Sequence, residues 1–132
     1  MKEFLKIIRS IRFALEGMRH AYSSDKSFRM EVRYGLPIYF ILAWFLWPME
    51  STELLIYLLS YFLILAVELL NTAIEKMLDR LHPEKHELIK RSKDIASAAV
   101  LVTFFFAVIV VFVIMYTHLA HNNVTMITRT FV

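Results

Sequence analysis

From Ile95 to Thr117 the chain runs through "IASAAVLVTFFFAVIVVFVIMYT" without one charged side chain. An uninterrupted apolar stretch of this kind is long enough to cross a bilayer core. In hydrocarbon the backbone can satisfy its own polar groups only as a helix or a closed barrel, so this run predicts a transmembrane helix over about 95–117. Two further apolar runs precede it. Tyr34 to Trp47 gives only roughly 21 Å of helix, so a span over about 31–47 must pull Glu31 and Arg33 toward one interface. Trp44 and Trp47 then form an aromatic belt at the other. The second run is uncharged from Leu54 to Val67 and crosses only by continuing through Glu68 and Asn71, as a span over about 54–76.

Residues 3–22 predict an amphipathic helix. Phe4, Leu5, Ile7, Ile8, Ile11, Leu15, Met18 and Tyr22 recur at spacings of three and four, while Lys2, Lys6, Arg9 and Arg19 largely occupy the other side. A basic helix with an apolar face ahead of a span suits the membrane surface. The N-terminus lacks the unbroken apolar core of a cleavable signal peptide. "PMESTE" reads as a tight turn in which Ser51 or Thr52 suits a helix cap. The polar tail 119–132 has no clear period and is expected to be poorly ordered. The whole is an all-α membrane protein with a single embedded domain over 1–118: one surface helix and three transmembrane helices.

Charge sets the orientation. Of 15 Lys and Arg residues, all but Arg129 lie in residues 2–33 and 76–93. These charges flank apolar runs, which fits membrane topology and not a nucleic-acid partner. The N-terminus and the 76–94 loop are therefore expected in the cytoplasm and the C-terminus outside. The absence of cysteine excludes disulfides, thiolate metal sites and a cysteine nucleophile. Gly17 and Gly35 are the only glycines, so no glycine-rich phosphate loop exists.

Against that frame of apolar spans, Glu68, Asn71, Glu75 and Asp79 advance by three or four residues and stack along one helix face. Glu68 lies roughly 20 Å from the outer end of the second span, in the inner half of the core. Glu75 reaches the inner interface. Lys93, Asp94 and Ser97 stand at the start of the third span, and Asp25 and Glu31 before and at the start of the first. All strongly polar features meet at one interface, where a water-soluble reactant can meet a lipid. A carboxylate pair can hold magnesium on phosphates, a lysine can neutralise phosphate charge, and a deeper carboxylate can deprotonate a lipid hydroxyl. Phosphoryl transfer needs little more than this positioning and charge. Two other readings compete. Glu68 can serve a small oligomeric transporter as a proton-linked site, or it can join helices without any chemistry.

The runs "VELLNTAIEKMLDR" (67–80), "HELIKRSKDIASAAV" (86–100) and "EGMRHAYSSDKSFRME" (16–31) together resemble the prokaryotic diacylglycerol kinase family, over roughly residues 4–118. The resemblance implies a homotrimer in the bacterial cytoplasmic (inner) membrane, with active sites shared between subunits. It implies a kinase that moves the γ-phosphate of magnesium-ATP to the hydroxyl of diacylglycerol, giving phosphatidic acid, among membrane lipids. Undecaprenol is the alternative acceptor in relatives of the same fold. Carried over by position, Glu68 is the catalytic carboxylate, and Asp25 and Glu75 hold Mg2+. The ATP site takes Lys6, Phe13, Asp25, Asn71, Glu75, Asp79, Glu84, Lys85, His86, Lys93 and Asp94. The lipid side takes Arg19, Tyr22, Phe28, Arg29, Glu31, Glu68 and Ser97. Asp25 stands where the family usually has Glu, Phe13 where Tyr is common, Lys85 where an aromatic is common, and Ala96 where Gly is. None of these departures removes a charged catalytic group.

Overall fold

The computed structural model describes the backbone of residues 1–81, 83 and 86–130, with side chains to His121. The described chain is helical. Helix α1 spans Lys2–Ser24, α2 Lys26–Met30, α3 Leu36–Leu46, α4 Ser51–Leu81 and α5 Glu87–Thr130. A π-helical turn, Glu31–Gly35, joins α2 to α3.

Asp25 breaks the chain between α1 and α2. It adopts an extended backbone (φ −110°, ψ 129°), and its N–H ends α1 by donating to the Ala21 carbonyl at 2.8 Å. Its side chain caps α2, where Oδ1 accepts from the Phe28 N–H at 2.8 Å. Such a cap satisfies one of the orphan donors of a helix start. The chain turns here from α1 into α2.

The stretch from Lys26 to Leu46 is not one long α-helix. Pro37, in the first turn of α3, has no N–H to offer the carbonyl four residues back, and its ring crowds that carbonyl. The π-helical turn directly before it relieves the crowding with a wider turn. The backbone stays in the right-handed helical region through Met30, Glu31, Gly35 and Leu36, so α2, the turn and α3 form one helical path. That path is about 30 Å long.

Two helices, α4 and the Glu87–His121 part of α5, are long and apolar enough to cross a membrane. They pack on each other more extensively than any other pair of elements. Their outward faces are apolar: Leu55, Phe62, Val102, Phe105 and Val108 are each more than 60% exposed. A water-soluble fold rarely leaves so much apolar surface uncovered, whereas a bilayer or further copies of the chain would cover it. The protein is therefore an all-helical membrane protein. Helix α1 carries the same signature, with Phe4, Ile7, Ile11 and Leu15 exposed along one side.

The core sits toward the Ser51 end of α4, where Leu46, Tyr57, Val110 and Ile114 pack with Tyr39, Leu42 and Val111. Hydroxyls line the contact between α3 and α4. Tyr57 donates to the Tyr39 carbonyl at 2.6 Å, Ser60 donates to the Tyr57 carbonyl at 2.7 Å, and the Tyr39 and Ser60 hydroxyls lie 3.2 Å apart. Paired hydroxyls of this kind join helices where the bilayer offers no competing water.

One expectation for the helix ends is corrected. Glu53 caps α4, where neither Ser51 nor Thr52 does so. Its Oε2 accepts from the Glu50 N–H at 3.0 Å, the back-reaching half of a capping box. The backbone of α5 continues through Thr130. No Gly or Pro follows Pro83, so nothing in the sequence stops the helix.

Glu53 also ties the start of α4 to α5. It accepts from the Thr117 hydroxyl at 3.2 Å and lies 3.1 Å from His118 Nε2. The Glu50 N–H first, then the His118 ring, hold its carboxyl below the usual carboxylate range. A carboxylate lowered on folding stabilises the fold above its unfolded value, and that contribution is lost as pH falls through the folded value. The Glu50–Leu54 turn is therefore expected to keep its hydrogen-exchange protection at neutral pH and to lose it only below the usual carboxylate range. Glu53→Gln should remove that acid dependence. Protection in Glu53→Gln that still falls with acid would assign it to another group.

Candidate functional site

Helix α4 buries one face, formed by Tyr57, Ser60, Tyr61, Ile64, Glu68, Asn71 and Thr72. The spacing of three and four residues puts them on one stripe, and the stripe changes character along its length. Its N-terminal half is aromatic and hydroxylic. Its C-terminal half carries an acid, an amide and a hydroxyl.

Glu68 is 2% exposed. The carboxylates of Asp25, Glu31 and Glu75 are near enough for their charges to act on it. Four acids from three parts of the chain thus share one region: the α1–α2 break, the π-helical turn and α4. Like charges held together in a poorly solvated place repel, so the region favours an added cation or proton. Two side chains beside Glu68 leave polar atoms buried without a hydrogen-bond partner among the described residues, Asn71 Oδ1 and Thr72 Oγ1. Such atoms carry a desolvation cost that a bound group can offset.

Below this region α4 meets α5. The Lys93 ammonium donates to Asp79 Oδ1 at 2.6 Å. That hydrogen bond raises the Lys93 pKa above its usual value, and the charges of Asp79 and Glu75 add to it. Lys93 is therefore a fixed cation opposite the acids of α4. As an ion pair at a solvated end it adds little to stability, so its charge is available for other use.

The sequence-predicted residues fall into two sets. Asp25, Glu31, Glu68, Asn71, Glu75, Asp79 and Lys93 gather around the inner half of α4 through the interactions above. Arg29 is half-buried beside Phe28, which is packed inside the chain at 4% exposure. Lys6, Phe13, Arg19 and Tyr22 lie exposed along α1. Arg19 borders a shallow groove on that helix with Ile8, Ile11, Arg12, Leu15 and Glu16. Asp94 and Ser97 are exposed at the start of α5. His86 is exposed, and its Nδ1 accepts from the Leu88 N–H at 3.2 Å, which caps α5. Glu84 and Lys85 lie outside the described residues.

Among the described residues, no three His, Cys, Asp or Glu side chains close into a metal-holding group. Magnesium does not require one, because it is commonly held by one or two carboxylates together with phosphate oxygens and water. Asp25 fits that use. Its Oδ1 caps α2, and its Oδ2 makes no described hydrogen bond. Glu75, half-buried one turn inward of Asn71, offers the second carboxylate.

Sequence reading missed Thr72 and Tyr61. Both continue the helical spacing of the Glu68 stripe, Tyr61 outward and Thr72 inward. Their periodicity was therefore visible in "YFLILAVELLNT", although their polar atoms drew no attention beside the charges.

The family described as prokaryotic diacylglycerol kinase matches residues 12–115. A diacylglycerol kinase of Escherichia coli (strain K12) is 34% identical over 115 residues, covering 87% of this chain and 93% of that protein. One of Haemophilus influenzae is 35% identical over 99 residues, covering 73% of this chain and 80% of its own. One of Helicobacter pylori (strain 26695) is 33% identical over 105 residues, covering 80% of each.

Proposed function

Because the chain belongs to the prokaryotic diacylglycerol kinase family and is a diacylglycerol kinase, we propose that it moves the γ-phosphate of magnesium-ATP onto the hydroxyl of diacylglycerol to give phosphatidic acid, using the inner half of α4. The observation that carries this assignment of the site is the buried Glu68 among the charges of Asp25, Glu31 and Glu75, with two orphaned polar atoms beside it.

In this reading the lipid hydroxyl approaches Glu68 from the bilayer, and the nucleotide approaches Glu75, Asp79 and Lys93 from the cytoplasm. Glu68 takes the hydroxyl proton as the lipid oxygen attacks the γ-phosphorus. The new oxygen–phosphorus bond forms as the bond to the β-phosphate oxygen breaks, and ADP leaves with that electron pair. Magnesium, when bound, neutralises phosphate charge, and Asp25 and Glu75 would hold it. Lys93 supplies a second positive charge, aimed by Asp79. Asn71 offers an amide to the phosphates. Glu31 and Arg29 border the lipid side.

The assembly belongs to the same proposal. The path from Lys26 to Leu46 makes the third span beside α4 and α5. The basic N-terminal region and the 76–94 loop face the cytoplasm, the C-terminus lies outside, and α1 rests on the inner membrane surface. A homotrimer would cover the exposed faces of α4 and α5. It would also let Lys6, Phe13, Arg19 and Asp94, which stand apart from Glu68 in one chain, reach a neighbouring site.

Lys93 tests which end serves the nucleotide. Lys93→Met is expected to raise the KM for ATP by about tenfold to a hundredfold, the loss of a charge-assisted contact, with the KM for diacylglycerol unchanged. Steady-state kinetics in mixed micelles measures both. An unchanged KM for ATP would overturn the nucleotide assignment of this end.

A further inference from the structure

The proposed lipid side includes Glu31, and its neighbours explain how that side chain is aimed. Glu31 opens the π-helical turn, a distortion that recurs at functional sites because it redirects side chains. Its backbone carbonyl accepts a hydrogen bond from the Tyr61 hydroxyl on α4 at 3.0 Å. Tyr61 is held in turn: it is 6% exposed, and its ring centroid lies 4.5 Å from that of Tyr39.

Gly35 closes the same turn. A Cβ placed there would stand 3.3 Å from Glu31 Oε2 and 3.3 Å from Tyr61 Cε2. The Glu31 carboxylate and the edge of the Tyr61 ring thus press into the space that any other residue at 35 would claim. Glu31, Gly35 and Tyr61 also line one end of an apolar cavity of about 470 Å3 between α3, α4 and α5, with Leu42 and Met115 toward the other end. The carboxylate lies where an apolar chamber meets the acids around Glu68.

We infer that Tyr61 and Gly35 are positioning residues for lipid recognition, acting through Glu31. Tyr61 pins the π-helical turn from α4. Gly35 leaves the room in which the Glu31 carboxylate lies against that turn. This inference rests on the lipid-side reading of Glu31. A residue that merely joined α3 to α4 would change stability without favouring one substrate over the other.

Kinetics in mixed micelles separates these roles, with diacylglycerol and ATP varied independently for Tyr61→Phe, Gly35→Ala, Glu31→Gln and the Tyr61→Phe/Glu31→Gln pair. Tyr61→Phe keeps the buried ring and removes only the hydroxyl. It is expected to raise the KM for diacylglycerol about fivefold, the worth of one neutral hydrogen bond, with the KM for ATP unchanged. Gly35→Ala should act in the same direction by displacing the carboxylate. In the pair, Tyr61→Phe should add nothing to Glu31→Gln, because both act through one group. If Glu31→Gln raises the lipid KM while Tyr61→Phe and Gly35→Ala leave it unchanged, the inference fails and the lipid-side reading stands. Fully additive effects in the pair would also overturn it. If Glu31→Gln leaves the lipid KM unchanged, the lipid-side reading fails and the inference with it.

Discussion

Glu68→Gln is expected to lower kcat for lipid phosphorylation by about 10²- to 10⁴-fold, the range for losing a positioned general base. The KM for ATP should stay close to that of the wild type. Gln matches Glu in size and still hydrogen-bonds, so it keeps any role the side chain has in joining helices. It cannot accept the hydroxyl proton. Glu68 is 2% exposed and surrounded by the charges of Asp25, Glu31 and Glu75, so its replacement by a neutral amide should not weaken the fold. Lost turnover in a variant that keeps its fold and its ATP affinity would therefore mark chemistry. A variant with normal kcat would make Glu68 a structural group and move the base elsewhere.

The second large effect concerns magnesium. Chelation should abolish transfer, and readdition should restore it. Glu75→Gln is expected to raise the magnesium concentration needed for half-maximal rate by about tenfold to a hundredfold, the cost of one charge-assisted contact. Asp25→Asn is the sharper variant. Asp25 Oδ1 caps α2 by accepting from the Phe28 N–H, and Asn caps a helix about as well as Asp. The substitution should therefore leave the α1–α2 break intact while removing the charge proposed to hold the metal. A shifted magnesium requirement with unchanged stability would assign Asp25 to the metal. An unchanged requirement in both variants would remove both carboxylates from that role.

The inner half of α4 was the most legible part of the sequence. Glu68, Asn71, Glu75 and Asp79 stand out because charge inside an apolar run is conspicuous and the helical period places them on one face. The long apolar run made α5 equally plain. The break at Asp25 was visible only as the polar run "SSDKSFR", and its role as the cap of α2 needed backbone geometry. The π-helical turn was not legible. It depends on Pro37 crowding the turn behind it and on Tyr61 reaching Glu31 from another helix, and no periodicity within one segment encodes such a crossing. The Lys93–Asp79 pair was foreseen as two polar ends at one interface. The 2.6 Å contact that makes them a unit came from the packing of α4 on α5. Lys6, Phe13 and Arg19 lie exposed along α1, and a single sequence carries no sign of which surfaces a second copy covers.

Transfer of labelled γ-phosphate from magnesium-ATP tests the proposed activity most directly. Purified protein in mixed micelles would be offered diacylglycerol, undecaprenol or no acceptor. The predicted result is label in phosphatidic acid, with little in undecaprenyl phosphate and little released as free phosphate. Label carried to undecaprenol alone would contradict the substrate. No label in either lipid, from protein that remains folded, would contradict the assignment of this site to phosphoryl transfer.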